Sequence, residues 1–166
     1  MQNRITASAM NSLLVIEGVT ASPSSDLHDT GLIMVVPPEG VRIVTGVFMG
    51  PVTVDVELLE ARPSEDDRQW EDIAEFTARR IAGVPVSVHG EMELPAEGVP
   101  DLAPSDSELV RIRVSAIGRD ESFDLAVSEP TEHYLVQVWP CDQDEPVSWR
   151  SGSRTAASRR AARPVV

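Results

Sequence analysis

Few residues in this chain have the type and spacing for chemistry, and the most suggestive are His89-Gly90-Glu91 and Pro140-Cys141. Zinc deaminase chemistry uses His-x-Glu followed by Pro-Cys-x-x-Cys. One imidazole and two thiolates hold the metal, and the glutamate moves protons. In this chain the last ligand position is Asp144 rather than a cysteine. A carboxylate can complete a tetrahedral zinc set. His89, Glu91 and Cys141 therefore define one alternative, a zinc- or thiol-dependent hydrolase or deaminase. Against it, these residues fall where the sequence reads as strand and loop, not at helix starts, so coincidence is the preferred reading. Thiol catalysis would also need Cys141 beside His28, His89 or His133, and nothing around Cys141 writes a helix start or Gly-rich turn that would activate its sulfur.

A second constellation is acidic. Glu65, Asp66, Asp67, Glu71, Asp72 and Glu75 crowd around Trp70, and Asp142, Asp144 and Glu145 make a shorter patch. Neither has the turn glycine of a calcium loop, so no metal or other cofactor is expected. A solvated face is the plain interpretation. The sharper one is a docking surface for a basic partner, with Trp70 as an aromatic anchor. Its candidate residues are Glu65, Asp66, Asp67, Trp70, Glu71 and Asp72.

Composition narrows the choice further. The 166 residues suit one domain, and all 14 basic residues are arginine. Without lysine there is no Walker A loop, no Schiff base and no Ser-Lys pair. The net charge is -13. Nine arginines face 27 acids over residues 1–149, leaving that body at -18, while five arginines follow from Arg150 onward. Such a body repels a nucleic-acid backbone. The longest apolar run near the start, Leu13 to Ile16, is too short for a membrane span or signal core. The single Cys141 forms no internal disulfide, and a cytoplasmic location is the expectation.

The elements that must carry these residues read as short strands. Val52, Val54, Val56 and Leu58 alternate with Asp55 and Glu57; Val110, Ile112, Val114 and Ala116 alternate with Arg111, Arg113 and Ser115. Tyr134, Val136 and Val138 likewise oppose His133, Leu135, Gln137 and Trp139. The stretch Asp67 to Ala82 fits helix and strand equally: Trp70, Ile73, Thr77 and Ile81 sit near helical spacing, yet Ile73 to Thr77 also alternates. Seven to nine strands with at most one short helix predict a mainly β, single-domain β-sandwich over 1–149. The Arg/Ala/Ser stretch 150–166 has no apolar period and is expected to be disordered.

The segments "WEDIAEF", "RIRVSAIGRD" and "EHYLVQVWP", between Trp70 and Pro140, resemble a group of small, acidic actinobacterial β-proteins of uncharacterised function. That resemblance favours a strand at Trp70 to Phe76. More remotely, through Tyr134, Gln137 and Trp139, the chain is similar to the competence protein J family, whose type member inhibits a companion nuclease. The resemblance implies an acidic inhibitor or immunity protein that occupies a basic cleft. The combined expectation is a non-enzymatic module for a basic protein partner.

Overall fold

The computed structural model describes residues 2–21, 26–64, 69–103 and 106–162. The fold is mainly β, as the alternation predicts. Its ten strands form one sheet that closes on itself as a six-stranded barrel with extra strands, so the expected sandwich gives way to a barrel. In chain order the strands are β1 Gln2–Met10, β2 Leu13–Ala21, β3 Ile33–Val36, β4 Gly40–Val44, β5 Met49–Leu58, β6 Asp72–Arg80, β7 Ser87–Gly90, β8 Leu109–Ile117, β9 His133–Cys141 and β10 Ser148–Ser151. An α-helix, α1 Arg154–Ala161, follows, and the described residues also include a 3-10 turn at Leu27–Thr30. Among the described residues no helix is long and apolar enough to cross a membrane.

Barrel closure has a local cause in β2. The hairpin from β1 turns on Asn11 and Ser12, both at positive φ (52° and 63°), the backbone of a primed two-residue turn. The first half of β2 then pairs with β4 on one side and β7 on the other. At Gly18, φ is +85°, and an added Cβ would stand 2.4 Å from the Pro85 carbonyl oxygen. The register against β4 shifts across this point. Beyond the irregularity, Val19 to Ala21 pairs with Ala78 to Arg80 of β6, and the circuit β1-β2-β6-β8-β9-β5 is complete. A glycine bend lets one strand serve two neighbours.

Small and branched side chains fill the interior: Val52, Val54 and Val56, Ala74 and Ala78, Val110, Ile112 and Val114, Val136 and Val138, all buried. Six strands leave room for side chains alone. Phe76 and Tyr134 add two fully buried rings, and burial of Phe76 contributes about 1.5–3 kcal/mol.

Residues 69–80 are settled as strand from Asp72 onward: β6 pairs with β8 from Asp72↔Ala116 to Arg79↔Leu109. The helical spacing of Trp70, Ile73 and Thr77 is incidental, because two flanking strands offer this segment backbone partners that a helix would leave unused.

The expectation of disorder from 150 is also revised. Arg150 and Ser151 end β10, which pairs with the first half of β6, and α1 follows at once. Capping explains the order where apolar pattern could not. Ser153 Oγ accepts from Ala156 N at 2.9 Å, and the Asp120 carboxylate accepts from Arg154 N and Thr155 N at 2.9 and 2.8 Å. Those bonds satisfy the helix's free amides. Burial would raise the Asp120 pKa, but the bonds from Thr155 and Arg154 outweigh it and hold it below the usual carboxylate value.

Candidate functional site

The strands β1, β5, β9 and β8 lie side by side, so their outward residues form a continuous floor on the barrel's outer face. The β5–β9 junction is parallel and sets Thr53 beside His133, Asp55 beside Leu135, and Glu57 beside Gln137. On the far side β8 sets Ile117 beside His133. Pro63 and Ser64 after β5 and Gln69 and Trp70 before β6 border this floor, and the result is a groove of about 660 Å³. Asp55, Glu57, His133, Leu135 and Gln137 line it below; Pro63, Ser64, Gln69 and Trp70 line it from the connection.

Within the groove the polar groups are ordered by one another. Asp55 accepts from Arg4 through Nε at 2.7 Å and Nη2 at 2.9 Å, a two-pronged contact of the stronger kind. Its Oδ2 also lies 2.7 Å from His133 Nε2. The Arg4 bonds, joined by His133, outweigh burial and hold the Asp55 pKa below the ordinary carboxylate range. Gln137 donates to Glu57 Oε2 at 2.8 Å. Trp70 stands edge-on to His133, ring centroids 5.4 Å apart. The floor therefore presents fixed carboxylates beside an aromatic wall.

Next to the groove, Glu75 on the outward face of β6 binds Arg111 Nε at 3.0 Å and Arg113 Nε at 2.9 Å, with Arg62 at 3.1 Å. Arg111 also donates to the Glu145 and Pro146 carbonyls, at 2.9 and 2.8 Å, so the segment after β9 is strapped across these cations. Arg113 and Arg62 lie over the Trp139 ring. The arginines that alternate along β8 are thus consumed by internal carboxylates and carbonyls.

The expected partner-binding residues divide. Trp70 lines the groove. Glu71 precedes β6, its backbone N–H bonded to Ala116 O, and its Oε2 is buried without a hydrogen-bond partner in the described structure. Asp72 is fully buried, pairing with Arg119 at 2.9 Å and accepting from Ser153 Oγ at 2.6 Å. It faces inward with Ala74 and Phe76, so its expected place on a docking surface is corrected to an internal ion pair. Glu65, Asp66 and Asp67 lie outside the described residues, although Ser64 and Gln69 on either side of that stretch both line the groove.

His89, Glu91 and Cys141 are not brought together. His89 Nε2 meets Glu17 at 3.2 Å, Glu91 pairs with Arg42 at 2.7 Å, and Cys141 ends β9 near Thr77 and Arg111. Burial pushes the Cys141 thiol up, away from the thiolate that a nucleophile or metal ligand requires. Among the described residues no three His, Cys, Asp or Glu side chains form a metal-holding group.

Asp55, Glu57, His133 and Gln137 escaped selection as site residues. Their outward parity was legible in the strand alternation, but their convergence depends on the β5–β9 pairing across 78 to 80 residues of chain. No family model matches the chain, no curated protein does, and no solved structure does. The two resemblances noted above therefore assign no role to any residue.

Proposed function

We propose that the protein is a non-enzymatic binding module whose groove accepts a basic segment of a partner protein. The observation that carries this reading is the groove's chemistry. Asp55 and Glu57 lie on its floor, Trp70 forms a wall, and no arginine is among its described lining residues. A partner's guanidinium can compete with the exposed Arg4 for Asp55, bond to Glu57 and pack against Trp70. The net charge of -13 accelerates the encounter with such a partner. Glu65, Asp66 and Asp67 join this reading through their chain position beside Ser64 and Gln69. An inhibitor or immunity factor for a basic enzyme, acting in the cytoplasm, is the biological form that fits.

Calorimetric titration with an arginine-rich peptide tests the proposal. Saturable binding is expected, weakened about tenfold by Glu57→Gln or by Trp70→Ala, a loss of roughly 1.4 kcal/mol each, and weakened further by salt. Glu108, exposed and far from the groove lining, supplies the control. If Glu108→Gln weakens binding as much as Glu57→Gln, the attraction is net charge alone and the groove is not the site.

A further inference from the structure

A second recess lies at the end of the barrel where β2 begins, beneath α1. It measures about 260 Å³, and its walls include Leu13, Ile33, Met34 and Val44, with His28 and Arg159 as its basic lining residues. Arg159 is unusual in a chain with 27 acids. Its Nη2 donates to the Thr45 carbonyl at 3.0 Å, and its guanidinium carbon lies 5.1 Å from the centre of the Phe123 ring. Its Nε is buried with no hydrogen-bond partner in the described structure. A buried donor left unmatched carries a desolvation cost that an acceptor would relieve.

The surroundings add to this. Burial pushes the Arg159 pKa down and the positive charge of nearby Arg119 adds to that effect, outweighing the opposing charges of Asp124 and Glu132. Exposed apolar side chains continue outward from the same end. Phe48 and Leu125 are joined by a backbone hydrogen bond, Phe48 O accepts from the Ser12 amide that borders the recess, and Phe123 lies under Arg159. An apolar wall beside a guanidinium whose Nε has no acceptor in the described structure selects for a molecule with the matching halves.

We propose that this recess binds a small amphipathic carboxylate, with the headgroup on Arg159 and the hydrocarbon chain against Leu13, Ile33, Met34 and Val44. The site is separate from the groove and does not depend on it. Octanoate is the probe, titrated by calorimetry into the full chain with octanol as the uncharged comparison. Octanoate should bind saturably and octanol about tenfold or more weaker. Arg159→Gln should remove the preference for the carboxylate. Because Arg159 also holds Thr45, a second variant is needed, and Met34→Trp on the edge strand β3 should fill the recess and block both probes. The proposal is overturned if octanoate shows no saturable binding, if octanol binds as tightly as octanoate, or if Met34→Trp leaves binding unchanged.

Discussion

Two of the acid–arginine assemblies among the described residues do opposite things. At one end of the barrel Arg119 is fully enclosed: it pairs with Asp72 and donates to the Gly31 and Val44 carbonyls at 2.8 and 2.7 Å. Beside it Glu132 accepts from Gly46 and Val47 amides and from Tyr134. On the outer face Arg4 and Asp55 pair just as closely, but two thirds of the Arg4 side chain is exposed, at 66%. Enclosure makes the first assembly a fastener between β6, β4 and α1. Exposure leaves the second open to exchange, since water or a competing cation can replace Arg4 at little cost. The Glu75 cluster stands between them, roofed by the segment after β9.

Breaking the enclosed pair should produce the largest effect. Arg119→Met strands the Asp72 carboxylate inside the fold and frees two carbonyls, and a loss of about 3–5 kcal/mol is expected in urea unfolding. If that variant unfolds no earlier than wild type, the pair is not a fastener and the contrast with the groove collapses.

Glu75→Gln should cost less, about 1–3 kcal/mol near neutral pH, because Arg111 keeps Thr77 and the two carbonyls. Its pH dependence carries a sign. Burial would raise the Glu75 pKa, but bonds to Arg111 and Arg113 and their charges pull it below the ordinary value of 4.5. A depressed native pKa gives stability that is complete above the unfolded value and is lost as pH falls through the native one. Wild type should therefore lose stability progressively below pH 4.5, and Glu75→Gln should show a shallower acid slope. Glu132 bends the other way, because burial raises its pKa despite the bonds from Tyr134, Gly46 and Val47. Its ionisation subtracts stability as pH rises above the ordinary glutamate range. Equal acid slopes in wild type and Glu75→Gln would remove Glu75 as the source.

The smallest change in stability is expected from Arg4→Gln, and it sharpens the comparison most. The unfolding midpoint should stay where it is, while affinity for an arginine-rich peptide should rise because Asp55 loses its two-pronged internal competitor and keeps only His133. Weaker peptide binding would mean that Arg4 helps to form the groove rather than to occupy it.

The mainly β character and much of the strand alternation were legible in the sequence. The outward parity of Arg111, Arg113, His133 and Gln137 followed from period-two alternation, and all four stand on the predicted face. Asp72 was misassigned for an instructive reason. Counting charges groups it with Glu71 and Glu75, whereas strand parity groups it with Ala74 and Phe76, and in the fold parity wins. The order of residues 150–162 was missed because α1 is held by its own Ser153 cap and by Asp120 and Asp72, which act across 35 and 80 residues, with Thr155 and Ala156 its buried residues; residues 163–166 of the expected tail lie outside the described residues.

What the sequence determined by itself was local: which residues alternate, where turns fall, and that the body is strongly acidic. Alternation is a property of one strand and needs no neighbour. Tertiary structure decided everything that required two strands to meet. The bend at Gly18 joined β2 to β6 and made a barrel of what the pattern alone read as a sandwich. The parallel pairing of β5 with β9 set Asp55 against His133 and Glu57 against Gln137. Those contacts depend on register between distant segments, and register is fixed by the packing of the whole core rather than by any stretch within it.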